Sequence, residues 1–136
     1  MLDRLFVYGT LRKDIPNSRV HLLAQEAQGV TFVGYWRIQG RLFDLGEYPG
    51  LVLSHDPDSW VHGEVYALHN PQETLSRLDD YEGCGPNDPK PHEFDRVEKD
   101  VVLDSGASGK AWVYIYGGTT ANKREIVSGD YLNETP

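Results

Sequence analysis

The pattern of apolar and polar positions predicts a chain built mainly of β-strands. Residues 5–8 form a short apolar run rich in β-branched and aromatic residues, which is typical of a buried central strand. Residues 97–103 and 111–116, joined by a turn rich in Ser and Gly, predict an antiparallel hairpin. Further strands are predicted from aromatic and β-branched residues at 30–33, 35–43, 51–53 and 61–68.

A helix is predicted from Asn70 to a stop at Gly83. Asn70 is a suitable N-cap, and Pro71 suits the first helical position. Glu73 stands where the acid of a capping box reaches back to the cap. Glycine is the residue that most often follows the last turn of a helix.

This helix carries a carboxylate on its apolar stripe. At about 100° per residue, Leu75, Leu78 and Glu82 fall within a narrow arc, with Asp79 on its flank and Asp80 pointing away. Burial and the negative end of the helix dipole both disfavour the charged form of Glu82, so its pKa is expected to rise. The alternative is a frayed last turn with Glu82 in water.

Taken together, the elements predict an α+β protein with a small mixed β-barrel and short peripheral helices. A first short helix, capped by Asn17 or Ser18, is predicted to end at Gly29, and residues 117–136 are expected to be mostly coil. The repeated helical crossovers of a doubly wound sheet are missing from the pattern. We expect residues 1–136 to form one domain.

The end of the first strand is a candidate ligand-binding loop. Gly9 allows a sharp turn and a close approach of another group to the backbone, and Thr10 adds a hydroxyl. Backbone N–H groups that leave the sheet here suit an anionic or carbonyl oxygen. The alternative is an ordinary strand end.

Glu64 and Cys84 are two further residues whose side chains can take part in chemistry. Glu64 lies inside an apolar strand, so its carboxylate requires a partner and serves either a buried ion pair or a pocket wall. Cys84 is the only cysteine, which excludes an internal disulfide. The sequence places no activating base near Cys84, so a nucleophilic role for its thiol is not expected.

Composition and charge exclude several functional classes. The net charge is −8 and the sequence shows no basic stripe, which argues against nucleic-acid binding. The five histidines show no metal-ligand spacing, so neither a metal nor another cofactor is expected. Without a signal peptide or a long apolar run, we expect a cytoplasmic protein that does not enter the membrane. The sequence does not predict the oligomeric state.

Several stretches, in order along the chain, resemble the signature motifs of the γ-glutamylcyclotransferase-like family, which includes γ-glutamylamine cyclotransferases. The first is Tyr8-Gly9-Thr10-Leu11 at the candidate loop. The others are Tyr48-Pro49-Gly50-Leu51, Gly63-Glu64-Val65-Tyr66, Leu78-Asp79-Asp80-Tyr81-Glu82-Gly83, Phe94-x-Arg96, Ala111-x-Val113-Tyr114 and Ile126-x-x-Gly129-Asp130.

The resemblance implies the barrel fold and an enzyme that cyclises a γ-glutamyl amide, releasing 5-oxoproline and an amine. It implies Glu82 as the catalytic acid/base. The residues expected to bind the small γ-glutamyl substrate are Tyr8, Gly9, Thr10 and Leu11, whose backbone N–H groups hold either the α-carboxylate or the oxyanion. Tyr114 is a weaker candidate for a pocket wall, since an aromatic residue on a strand commonly serves packing.

Two departures from the common family pattern bear on the substrate. Thr10 stands where many relatives have serine, and Phe94 stands where many have tyrosine. Thr10 keeps the hydroxyl, whereas Phe94 removes a possible substrate-facing phenol. The chain is also short for the glutathione-degrading members of the family, so small γ-glutamylamines or similar amides are the expected substrates. Two alternatives stay open: a binding module of the same fold that does not turn its ligand over, and a lyase that removes a γ-glutamyl protecting group from a biosynthetic intermediate.

Overall fold

The computed structural model describes residues 2–9, 29–103 and 105–131. Within these ranges the chain forms seven strands and one helix. In chain order they are β1 (Arg4–Val7), β2 (Val30–Asp44), β3 (Pro49–Leu53), β4 (Trp60–Leu68), α1 (Pro71–Glu82), β5 (Phe94–Leu103), β6 (Ser108–Tyr116) and β7 (Arg124–Glu125).

Five strands close into a barrel. Neighbouring strands follow the order β2, β4, β1, β6 and β5, and β5 pairs again with β2 through Trp36–Leu103 and Arg37–Val102. The β1–β6 pairing is parallel, and the other barrel pairings are antiparallel. Strand β1 therefore has a partner on both sides, which confirms the predicted central strand. It spans Arg4–Val7, and Tyr8 follows its last residue. The prediction of a mixed barrel is confirmed.

Side chains alternate between the inside of the barrel and its outer face, which gives two apolar layers. Phe6 and Val65 belong to the inner layer, with Trp36, Ile38, Val61, Val101, Ala111 and Val113. Leu5 and Val7 belong to the outer layer, with Tyr66, Leu68, Leu75, Leu78, Phe94 and Tyr114. Because Leu75 and Leu78 belong to α1, the helix covers the outer face of the sheet with the stripe that the sequence predicts.

The start of α1 differs from the prediction in one contact. The side chain of Asn70 makes no capping hydrogen bond to the backbone. Its Nδ2 donates instead to Glu73 Oε2 at 2.9 Å. The capping box predicted here is therefore wrong, because the two side chains bind each other and not the exposed N–H groups. Pro71 at the first position and Gly83 at the end are confirmed.

Three other regions refine the predicted elements. Residues 30–44 form one strand, in which the pairing with β4 shifts register between Phe32 and Gly34. The segment predicted as coil at 117–136 contains β7, which pairs with the end of β2. The helix predicted before Gly29 lies outside the described residues. That the whole chain is one domain stays a prediction.

Candidate active site

Glu82 is the last residue of α1, and the backbone after it turns sharply. Gly83 adopts a left-handed conformation with φ of 79°, which residues with a Cβ rarely tolerate. The N–H groups of Gly83 and Cys84 donate to the carbonyls of Asp80 and Asp79, at 3.3 and 2.9 Å. This pair of bonds ends the helix and fixes the direction in which the Glu82 side chain leaves it.

The carboxylate of Glu82 is partly buried and carries a perturbed pKa. Burial, together with the negative charges of Glu93 and Asp79, raises the pKa of Glu82 to about 7. Among the residues that the structure describes, none donates a hydrogen bond to this carboxylate or forms an ion pair with it. A carboxyl group in this state exchanges a proton near neutral pH, as an acid/base catalyst must. The buried interpretation of Glu82 is therefore favoured over the frayed one.

Tyr8 joins the end of β1 to two other strands. Its hydroxyl donates to the carbonyl of Tyr114 at 2.6 Å and accepts from the N–H of Leu51 at 3.3 Å. Burial and the nearby charge of Glu82 raise the pKa of Tyr8, so the phenol stays neutral. The start of the candidate loop thus lies within electrostatic reach of Glu82, although the two residues are far apart in sequence.

Gly9 has a structural reason to be glycine that the sequence did not reveal. A Cβ at this position would lie 2.7 and 2.9 Å from the Cγ and Cδ atoms of Pro49. The close approach to the Gly9 backbone is therefore made by Pro49 of a second motif. Thr10 and Leu11, the other predicted loop residues, lie outside the described residues.

An aromatic group and a second carboxylate lie beside Glu82, and sequence reasoning missed both as parts of the site. Tyr48 donates from its hydroxyl to Glu93 Oε1 at 2.7 Å. This hydrogen bond, burial, and the charges of Glu93 and Glu82 raise the pKa of Tyr48 to about 12. Phe94 packs against Tyr48 and Tyr116, with ring centroids 5.9 and 5.6 Å apart. Phe94 is only 4% exposed, so its ring faces protein.

Asp79, one turn before Glu82, forms the most connected polar contact near the site. Arg96 donates to both carboxylate oxygens, from Nε at 2.8 Å and from its terminal nitrogen at 3.0 Å. The hydroxyl of Tyr114 donates to Oδ1 at 2.7 Å. The observed role of the Tyr114 side chain is thus to hold Asp79; that it also forms a pocket wall stays a prediction. A signal was present in the sequence, because a carboxylate on the flank of a buried stripe requires a partner.

Glu64 is fully buried on β4, where it accepts a hydrogen bond from the hydroxyl of Tyr66 at 2.8 Å. Its register partner on β1 is Val7, which places Glu64 on the outer face of the barrel. The contact with Tyr66 supplies part of the hydrogen bonding that a buried carboxylate requires. Both interpretations of Glu64 stay open.

Cys84 is a free, half-buried cysteine just after the end of α1. Burial and the charge of Asp79 raise the pKa of Cys84 to about 11, so the thiol stays protonated, which disfavours a nucleophilic role. Across the described ranges, no group of three or more His, Cys, Asp and Glu side chains is arranged to hold a metal ion.

Comparison with known families fits this geometry. The model of the family described as "Gamma-glutamyl cyclotransferase, AIG2-like" matches residues 5–133. The chain belongs to this family. A putative γ-glutamylcyclotransferase of Vibrio cholerae is 36% identical over 133 residues, covering 96% of each chain. The γ-glutamylcyclotransferase family protein YtfP of Escherichia coli is 34% identical over 130 residues, again covering 96% of each.

Solved structures of family relatives have the same fold. The solution structure of YtfP matches with a TM-score of 0.62 and 31% identity, covering 96% of both chains. The crystal structure of YkqA from Bacillus subtilis matches with a TM-score of 0.69 and 29% identity. The match covers 96% of this chain but only 40% of the YkqA chain.

Membership in the γ-glutamylcyclotransferase family makes this chain an enzyme of that kind, and the family acts on small γ-glutamyl substrates. None of the helical structure in ranges 2–9, 29–103 and 105–131 is long and apolar enough to span a membrane. The relatives' names do not specify an amine, so the identity of the substrate is a separate question.

Proposed function

We propose that this protein cyclises a γ-glutamyl amide, releasing 5-oxoproline and a free amine, with Glu82 as the acid/base. The observation that carries the proposal is the partly buried Glu82 carboxylate, whose pKa is raised to about 7 beside the end of β1. A group of this kind takes up and returns a proton at neutral pH.

The reaction requires no nucleophile from the protein. The α-amine of the substrate attacks its own γ-carbonyl carbon, which forms the C–N bond of a five-membered lactam. The bond from that carbon to the departing nitrogen then breaks. The substrate's ammonium group loses two protons in all, and both end on the released amine, which leaves as an ammonium ion. The protein must fold the glutamyl group, move these protons and stabilise the oxyanion.

Glu82 is suited to the proton transfers because its ionised form is the base and its protonated form is the acid. As the carboxylate, it accepts the first proton from the substrate's ammonium group. As the neutral acid, it donates a proton to the departing nitrogen. A pKa near neutrality keeps both forms accessible during one turnover.

The backbone around Tyr8 and Gly9 is proposed to bind the glutamyl group, together with Thr10 and Leu11. Support comes from the Tyr8 hydroxyl, which fixes the end of β1 against β3 and β6, and from Pro49, which packs on Gly9. A rigid strand end can present its N–H groups to a carboxylate or an oxyanion without reorganisation. The wall of the pocket is proposed to include Tyr114.

We infer that the substrates are small γ-glutamylamines or related amides. The residue that departs from the common pattern, Phe94, is buried between Tyr48 and Tyr116 and has no hydroxyl to offer a ligand. Because the ring faces protein, position 94 offers a leaving group no phenol hydroxyl. The loss of this possible hydrogen-bonding group supports a compact amine over a long peptide with many polar groups.

The test is to incubate the purified protein with a panel of γ-glutamyl dipeptides and γ-glutamylamines and to measure 5-oxoproline by mass spectrometry. Wild type, Glu82→Gln and Glu98→Gln are compared. Glu98 is an exposed glutamate on β5, so its replacement makes the same chemical change away from the site. We expect 5-oxoproline from the wild type and from Glu98→Gln, with a loss of at least about a hundredfold for Glu82→Gln.

Substantial turnover by Glu82→Gln would remove Glu82 from the mechanism. If the wild type produces no 5-oxoproline from any panel member, the cyclisation is refuted for this substrate class. Thermal-shift measurements with the same panel then identify a binding module. A larger γ-glutamyl conjugate is then tested separately, and turnover of it alone indicates the lyase that removes a γ-glutamyl protecting group.

A further inference from the structure

Arg96 and Asp79 form a two-point contact between β5 and the last turn of α1. Their side chains are only 19% and 17% exposed, so water screens the pair less than it screens an ion pair on the surface. The guanidinium also lies 4.4 Å above the ring of Trp112 on β6. The pair is therefore held in one geometry by two hydrogen bonds and an aromatic surface.

Tyr114 extends this contact to the candidate substrate loop. It is the register partner of Arg96 across β5 and β6, so the two side chains lie on the same face. Its hydroxyl donates to Asp79, and its carbonyl accepts from the hydroxyl of Tyr8. One residue thus connects the helix that carries Glu82 with the strand that leads into Gly9.

Asp79 and Glu82 are three residues apart on one helix, so their side chains lie on neighbouring positions of the same surface. The charge of Asp79 acts on Glu82 and is compensated by Arg96. Five described titratable groups interact electrostatically with Glu82. They are Asp79 on α1, Cys84 just after α1, Glu93 before β5, Tyr8 after β1 and Tyr48 before β3.

From this geometry we propose that Arg96 and Asp79 are positioning residues: they hold the last turn of α1 against the β5–β6 hairpin and set the charge environment of Glu82. The inference rests on the proposed function for the use of Glu82 in proton transfer. The electrostatic part of the inference stands independently, because the ionisation of Glu82 is measurable without a substrate.

Opposite pH shifts distinguish this role from a merely structural one. Asp79→Asn removes a negative charge near Glu82, so the pKa of Glu82 falls. Arg96→Gln leaves the charge of Asp79 uncompensated, so the pKa of Glu82 rises. The shift for Asp79→Asn is expected to be about half to one pH unit, for two charges three residues apart on one helix. The effect of Arg96→Gln passes through Asp79, so the prediction there is the opposite direction. If the contact had only a structural role, the pKa of Glu82 would shift in the same direction in both variants, because both break the same hydrogen bonds.

Two more sets of variants control the comparison. Arg96→Lys keeps the positive charge but loses the two-point geometry, so the pKa of Glu82 stays near the wild-type value. Asp100→Asn and Lys110→Gln break an exposed ion pair on the same hairpin, with an N–O distance of 2.9 Å and side chains 72% and 57% exposed. These two variants are expected to leave the titration of Glu82 unchanged.

The titration of Glu82 is followed by carbon-detected NMR on glutamate labelled with ¹³C at the carboxyl carbon, with Glu82→Gln assigning the signal. In parallel, kcat/KM is measured against pH. The acidic limb of this profile is expected to move to lower pH for Asp79→Asn and to higher pH for Arg96→Gln. Shifts in the same direction, or no shift in either variant, would overturn the inference. If Arg96→Gln does not fold, Asp79→Asn and Arg96→Lys still decide it: an unshifted Asp79→Asn, or a strongly shifted Arg96→Lys, refutes it.

The two proposals fail in different ways. An active Glu82→Gln refutes the acid/base role, while the NMR titrations still report whether Asp79 and Arg96 act on the Glu82 carboxyl. An inactive Glu82→Gln with unshifted Asp79→Asn and Arg96→Gln titrations leaves the proposed function intact and refutes the positioning role.

Discussion

Replacing Glu82 by glutamine is expected to make the folded protein more stable at alkaline pH while removing its activity. In the folded protein the carboxyl group holds its proton up to about pH 7, compared with an ordinary value of 4.5. Between these two values the unfolded chain is ionised at this position and the folded chain is not. The free energy of unfolding therefore falls as pH rises through this window, and it does not fall further above the folded pKa.

The size of the effect follows from the two pKa values. They differ by about 2.5 pH units, which corresponds to about 3 kcal/mol of unfolding free energy. Glutamine has nearly the same shape but no ionisable proton, so Glu82→Gln removes this pH dependence. The stability of the variant minus that of the wild type should increase by about 3 kcal/mol between about pH 4 and about pH 8.

The assay is urea unfolding at a series of pH values, with the free energy of unfolding obtained by linear extrapolation. Glu98→Gln is the matched control, because it removes the same carboxylate from an exposed position on β5. Comparing variants at each pH cancels the contributions of the remaining carboxylates. A stability difference between Glu82→Gln and the wild type that stays constant from acid to alkaline pH would refute the burial argument for Glu82.

Three further perturbations test the surroundings of the site. Tyr8→Phe leaves a buried β6 carbonyl and a β3 N–H without the hydroxyl that pairs with both, so unfolding should become easier by about 1–3 kcal/mol in urea titrations; an unchanged midpoint would contradict this. Gly9→Ala places a methyl group against the ring of Pro49, which should lower stability by about 1–3 kcal/mol; full stability together with loss of substrate affinity would show instead that Gly9 is required for ligand approach. Glu93→Gln removes a negative charge that raises the pKa of Glu82, so the lower limb of the kcat/KM profile should move to lower pH, and a move upward would show that Glu93 acts through another contact.

Local patterns in the sequence were sufficient to predict the elements that carry the site. The apolar run at 5–8 predicts a buried strand because short runs of this composition rarely suit the surface. The spacing of Leu75, Leu78 and Glu82 places a carboxylate on the buried side of α1, since side-chain direction repeats with the helical period. Gly83 marks the helix end because only glycine readily adopts the left-handed turn found there.

The side-chain partners of the site were not predictable in the same way. Asn70 and Glu73 have the spacing of a capping box, yet they bind each other, because that choice depends on side-chain geometry at the helix start. The sequence predicts that Gly9 admits a ligand to the backbone, whereas Pro49 occupies the adjacent space in the structure. Both outcomes depend on atoms that meet only after the strands pair.

What the sequence alone determined is therefore which residues of β1 and α1 lie on buried faces and where α1 begins and ends, since those properties depend on near neighbours along the chain. The tertiary structure decided which distant groups share the site. Closure of the barrel brings β1, β5, β6 and α1 together, so the Tyr8 hydroxyl meets the Tyr114 carbonyl and Arg96 of β5 meets Asp79 of α1. Contacts between residues so far apart in sequence depend on strand order and register, which no local pattern encodes.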